Sequence, residues 1–375
     1  MNNVHDYDSL IESIKNNQYI HTLDEYDYII PYNVLKYHKV LTESKDIIDK
    51  NGDTALIYAC KYYKHDNLPQ IVELLKDTMN IQNKDGDIAL MYACANYTHD
   101  NLPQIVELLK DTMNVQDKDG ETALMYACRY YDQPNLPQIV ELLKDTMNIQ
   151  NNNGSTSLMV ACRYYKHDNL PKVIDILKDS MDIQDKYGWT TLMYTCRYYT
   201  HNNLPKVIDI LKDSMKLQNN DGNTALMLVC ANYTYDNLLE IVEILKDTSM
   251  LQNNNGSTSL MVACRYYKHP NLLEIVEMLK DTIYIQNNDG NTTLMFLCMC
   301  YNQPNLLEIV EMLKDTMYIQ NNDGYTALMF LCINYTHNNL PDIVEILKDS
   351  MSLKNKNGTT ARIITNPTYR RKSKC

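Results

Sequence analysis

Between Gly120 and Gly154 the apolar residues fall into two short helical stripes. In the first, Leu124, Ala127, Cys128 and Tyr131 are spaced i, i+3, i+4 and i+7, which lays one apolar line along a helix. A polar tetrapeptide, Asp132 to Asn135, interrupts the pattern. Asn135 is an N-cap residue type, Pro137 falls in the first turn that follows, and Gln138 stands where it would complete a capping box. Ile139, Leu142 and Leu143 form the expected buried side of this second helix, while Glu141 and Lys144 pair at i, i+3 on the other. A short apolar-polar alternation then runs into a polar turn closed by Gly154, a residue that accepts positive φ without steric cost. The pattern predicts helix, loop, helix, turn.

The same unit recurs along the chain. All ten glycines, from Gly52 to Gly358, stand 34 residues apart. Glycines so far apart exclude GxGxxG, GxxxxGK[ST] and GxSxG motifs, and with them dinucleotide folds, P-loop NTPases and nucleophile-elbow hydrolases. Two helices this short bury no core alone, so the expected fold is all-α: a helical repeat solenoid of stacked helix-loop-helix units joined by short turns. Residues 52–357 hold nine such repeats. Residues 1–51 are read as an N-terminal helical segment with a degenerate half-repeat that caps the stack. Residues 358–375 are read as a C-terminal cap stub, with Arg362 in place of a buried leucine, followed by a basic disordered tail.

A period of 34 is also that of the tetratricopeptide repeat, so the residues must decide. The run Gly120-Glu121-Thr122-Ala123-Leu124-Met125-Tyr126-Ala127-Cys128 resembles the G-x-T-P-L-H-x-A-A signature of the ankyrin-repeat family, and Ile139-Val140-Glu141-Leu142-Leu143 resembles its later apolar element. The resemblance extends over roughly residues 50 to 361. It departs where the family proline is Ala or Ser in most repeats, the histidine is Met or Ile, and Tyr131 and Thr146 replace the helix-ending glycines. It implies L-shaped stacked units whose first-helix face and turn tips bind partners. Heavy use of Asn, Ile, Tyr and Lys also makes the chain similar to ankyrin-repeat proteins of large DNA viruses, which implies a host protein as partner.

Composition narrows the chemistry. With 35 basic and 47 acidic residues the formal charge is −12, which disfavours nucleic acid as the main ligand. No run of 18 apolar residues and no leader-like segment occurs, so the expected setting is the cytoplasm, away from a membrane. Nine cysteines, Cys60 to Cys332, follow the same period. Stacked helices stand about 8–10 Å apart and a disulfide needs less than about 7 Å, so these read as reduced, buried residues.

No unique nucleophile, base or carboxylate pair stands out from the periodic background, so the chain is read as non-enzymatic and free of cofactors. Six histidines, His65, His99, His167, His201, His269 and His337, also follow the period, too widely spaced to share a zinc ion. The informative positions are those that vary between repeats: six, nine and ten residues after each glycine, expected on one face opposite the Leu-Cys-Tyr stripe. They are basic and aromatic in the middle repeats and apolar in the last. Arg and Tyr dominate interface hot spots, so the candidate partner-binding residues are Arg129, Tyr130, Arg163, Tyr164, Arg197, Tyr198, Arg265 and Tyr266, with Tyr187 and Trp189 as an exposed aromatic pair at a turn tip. The reading is a monomeric protein-interaction scaffold with an unidentified partner. Two alternatives stand beside it: an adaptor recruiting a host ubiquitin ligase through residues 1–50, and a structural virion component.

Overall fold

The computed structural model describes residues 48–232, 237–266, 271–300, 305–334 and 340–364. Their regular structure is helical, apart from an isolated antiparallel bridge between Ile48 and Thr54. In a representative repeat the first helix spans Ala123–Tyr130. Thr122 starts it, its hydroxyl accepting the Met125 N–H at 3.4 Å, and an extended Tyr131 ends it. All four residues of the predicted stripe are buried, as is Met125 in the place of the family histidine. Equivalent eight-residue first helices recur, among them Ala55–Tyr62, Ala89–Asn96, Ser157–Tyr164, Thr191–Tyr198, Ser259–Tyr266 and Thr293–Cys300.

The second helix spans Leu136–Leu143 and continues into a 3-10 turn over Lys144–Thr146, where the Thr146 hydroxyl donates to the Leu143 carbonyl at 2.8 Å. Its buried side is Leu136, Ile139, Val140 and Leu143, whereas Leu142 is only half-buried. Glu141 and Lys144 pair at 2.6 Å as expected.

The capping role expected of Asn135 is not borne out. Asn135 occupies the N-cap position, but its side chain makes no capping hydrogen bond. Its Oδ1 accepts instead from the Tyr131 hydroxyl at 2.6 Å. The reason is burial: a phenol held inside the stack without an acceptor costs about 1–3 kcal/mol, and Asn135 is four residues away. The clasp repeats as Tyr97 with Asn101 at 2.7 Å and Tyr199 with Asn203 at 2.7 Å. It also ties neighbours together, since the Asn101 amide donates to the Asp66 carbonyl at 2.6 Å and the Tyr97 hydroxyl to the His65 carbonyl at 3.1 Å.

The chain divides into two compact units: residues 1–186 with 198–210, and residues 187–197 with 211–375. In the first, the turns are joined by backbone hydrogen bonds from each repeat to the one before: Lys84 N–H to the Asn51 carbonyl at 2.8 Å, Lys118 to Asp85 at 3.0 Å, Asn152 to Asp119 at 2.8 Å and Lys186 to Asn153 at 3.0 Å. A glutamine ladder runs beside them. The Gln82 amide donates to the Gly86 and Gln116 carbonyls at 2.7 and 3.1 Å, and Gln116 does the same to Gly120 and Gln150 at 2.6 and 3.1 Å. In the second unit the backbone ladder continues from Asn220 to Tyr187, Asn254 to Asp221 and Asn288 to Asn255, each at 3.0 Å. There Asn254 and Asn288 add amide donors to the Asn220 and Asn254 carbonyls at 2.8 Å.

The nine periodic cysteines form no disulfide and are buried, and burial raises the Cys60 and Cys230 thiols to about 12. Residues 1–47 of the expected N-terminal cap and Tyr369 to Cys375 of the expected basic tail lie outside the described residues. Arg362 is exposed on the short helix Ala361–Ile364.

One local conflict gives a test. Where Ala123 and Ala225 open their helices, Ser157, Thr191, Ser259 and Thr293 place buried hydroxyls that have no hydrogen-bond partner. Ser259→Ala is therefore expected to raise stability by about 1 kcal/mol, read as a higher urea midpoint; a lower midpoint would mean that the hydroxyl is satisfied.

Candidate partner-binding face

The first-helix positions differ in what the stack allows them. The sixth position after each glycine, expected on the exposed face, is instead built into the stack. Tyr58, Val160, Val262 and Phe296 are buried there, and Tyr126 is half-buried with its hydroxyl donating to Asp117 at 2.9 Å and Asp87 at 3.1 Å. Burial, followed by the Asp117 hydrogen bond and the Asp87 charge, pushes the Tyr126 phenol far above its ordinary range, so it serves as a neutral donor. The physical reason is the neighbouring repeat, which covers this position and which the spacing within one repeat does not reveal.

The ninth and tenth positions face outward, and in the first unit they interlock. The Arg129 guanidinium lies over the Tyr130 ring at 5.6 Å and the Tyr164 ring at 5.3 Å. Arg163 lies over Tyr164 at 5.1 Å and Tyr198 at 4.9 Å. Ring and cation thus alternate across three repeats as Tyr130, Arg129, Tyr164, Arg163, Tyr198. The three rings are 53, 42 and 37 % exposed, so the ladder is a surface rather than a core.

Arg129 is not an ordinary solvated cation. It is half-buried and forms a bidentate ion pair with Glu121, Nη1 reaching Oε2 at 2.5 Å and Nη2 reaching Oε1. Burial opposes its charge, but the Glu121 hydrogen bonds more than offset this and hold its pKa above the usual value. Lys61 and Asp53 repeat the arrangement more loosely, at 3.9 Å. An acid one residue after the glycine and a cation nine residues after it are the sequence signal for this pairing, and scanning the two positions separately misses it.

The remaining candidates belong to the second unit. Arg197 and Tyr187 are exposed, Tyr187 at 65 %. Trp189 is only half-buried because its ring packs 5.4 Å from that of Tyr194, so the expected exposed pair reduces to Tyr187. Arg265 lies over Tyr266 at 5.1 Å and Phe296 at 5.9 Å. Beside it opens a cleft of about 430 Å³, lined by Ser257, Arg265, Asn287, Phe296, Met299 and Cys300 among others.

The histidines serve the loops. His99 Nδ1 lies 2.7 Å from Asp66 and its Nε2 lies 2.6 Å from the Lys64 carbonyl; His201 Nε2 lies 3.3 Å from Asp168. His269 and His337 lie outside the described residues. Among the described residues no three His, Cys, Asp or Glu side chains converge as metal ligands, and no helix is long and apolar enough to cross a membrane.

Comparison with known proteins adds to this geometry. The family model described as ankyrin repeats (3 copies) matches residues 28–111, 63–146, 99–178 and 199–285, more than half of the chain. Among solved structures, the ankyrin repeat domain of Bcl-3, described as a unique member of the IkappaB protein family, is similar at 20 % identity and a TM-score of 0.44, over 58 % of this chain and 97 % of that one. No curated protein matches the chain in sequence.

Proposed function

Because the chain belongs to the ankyrin-repeat family, whose repeats generally mediate contacts between proteins, we propose that it is a non-enzymatic scaffold binding a partner protein through its first-helix face. The observation that carries this reading is the alternation of Tyr130, Arg129, Tyr164, Arg163 and Tyr198 across consecutive repeats. Each exposed cation–π contact contributes about 0.5–1 kcal/mol, which restricts the rotamers before a partner arrives. Ordering such side chains on binding costs about 0.5–1.5 kcal/mol each, so a ladder already ordered binds with less of that loss. The flat rings offer apolar area to a partner, and the guanidinium planes between them add positive charge held in a fixed place.

In this reading the protein acts as a monomer in the cytoplasm, with residues 1–51 and 358–375 capping the nine repeats of 52–357. Its composition supports a viral origin and hence a host protein as partner.

The test is affinity capture from cell lysate with the intact chain and with a Tyr130→Ser, Arg163→Glu, Tyr198→Ser variant. Arg129 is left in place, because a glutamate there would face Glu121 and perturb the fold. A protein held by the first and lost by the second, with equal helicity by circular dichroism, is the expected result. An unchanged partner list would remove the ladder as the binding surface.

A further inference from the structure

The protein contains its own example of how this face holds a carboxylate. At Arg129, a guanidinium lying over two rings receives both oxygens of Glu121, the residue after Gly120. At Arg265 the arrangement is kept, with Tyr266 and Phe296 as the rings, but the residue after Gly256 is Ser257. Among the described residues Arg265 has no ion pair, although Asp289 stands on the rim of the same cleft. A second difference changes the wall of the cleft: Cys300 stands at the position that Tyr164 occupies over Arg129. Met299 and the Phe296 edge give the cleft an apolar side, and Ile333 in the next repeat is 52 % exposed.

We propose that this cleft is a recognition pocket for an extended acidic peptide of a partner protein, seating a Glu carboxylate on Arg265 and an adjacent apolar side chain against Phe296 and Met299. The carboxylate takes the place that Glu121 fills internally in the earlier repeat, with Ser257 and Asn287 beside it as further polar groups. Stacking holds the guanidinium plane for bidentate pairing. The proposal rests on the first-helix face being a binding surface and names the chemistry of one of its pockets.

Cys300 is exposed in the cleft wall and reports occupancy. In a Cys375→Ser background, iodoacetamide alkylation of Cys300 is followed by mass spectrometry with the blocked peptides acetyl-Gly-Glu-Leu-Gly-amide, its Gln-Leu analogue and its Glu-Gly analogue, and with acetate. The Glu-Leu peptide is expected to slow alkylation at least fivefold at saturation, with half-protection at a concentration at least tenfold lower than for either analogue. Ser257→Glu, which supplies the carboxylate from within, should abolish protection while leaving helicity intact, and Arg265→Leu should abolish it too. Arg163→Leu should change nothing.

Absence of protection up to about 20 mM peptide, a concentration well above a Kd of about 1 mM, equal protection by Glu and Gln peptides, or protection that survives Ser257→Glu would each overturn the proposal. Acetate protecting as well as the Glu-Leu peptide would overturn the peptide assignment in favour of a small-anion site. No cellular partner enters the assay, so its failure stands apart from failure of the lysate capture, which probes a different set of residues.

Discussion

Gly222→Ala is expected to destabilise the second unit by about 2–4 kcal/mol, and Gly358→Ala by only about 1–2 kcal/mol. Both glycines have positive φ, 77° and 73°, so an alanine pays the same backbone strain at either position. What differs is the surroundings. A Cβ at Gly222 would come within 2.6 Å of the Asn254 backbone nitrogen and 2.9 Å of the Asn253 Cα, whereas at Gly358 it would meet nothing within 4 Å. The Asn254 nitrogen is no bystander, because its N–H donates to the Asp221 carbonyl in the ladder that joins successive turns. Relief of the clash therefore means opening that hydrogen bond. Since a stack is coupled only through neighbouring repeats, the loss should appear in urea as both a lower midpoint and a shallower transition for Gly222→Ala. Equal effects from the two substitutions would show that the turn ladder yields freely and that glycine is required for its φ alone.

That contrast explains what was legible in the sequence. The helix pair, the Leu124-Cys128-Tyr131 stripe and the glycine turn are properties of one repeat, and local spacing reveals them. What required the neighbours stayed hidden. Asn135 has the chemistry of an N-cap, but a buried tyrosine hydroxyl four residues earlier takes its oxygen. Tyr126 falls where a lone helix would be solvated, and the preceding repeat supplies Asp87 to its hydroxyl. Gln82, Gln116 and Gln150 recur at the period of the glycines and look like solvated polar residues, yet each amide bridges two turns. In the candidate face the residue types were readable, but the pairing of Glu121 with Arg129 joins a turn residue outside the helix to a helix end eight residues on, so the spacing within the helix does not announce it. The empty equivalent at Ser257 acquires meaning only once that pair is known.

Alkaline pH should unfold the stack through its buried acids. Burial raises the Cys60 and Cys230 thiols from 9.0 to about 12. Burial also raises the Tyr97 and Tyr199 phenols from 10.0 to about 12, against a smaller opposing effect from their asparagine hydrogen bonds. In each case the folded protein holds its proton more tightly than the unfolded chain. The stabilisation is therefore complete below the unfolded values, and stability falls as pH rises from about 9 towards 12, by roughly 1.4 kcal/mol per pH step for each group fully inside its window. Other buried cysteines at equivalent positions, Cys94 and Cys128 among them, are pushed further in the same direction by the same cause. Their joint effect should make the loss of helix steep, with the structure gone by about pH 11 at room temperature. Pulse alkylation across this range, in a Cys300→Ser, Cys375→Ser variant, should find the buried thiols becoming reactive together with the fall in the circular dichroism signal at 222 nm. Thiols that react near pH 9 while the helices persist would mean that the cysteine positions open locally, and that the first-helix stack is looser than its burial indicates.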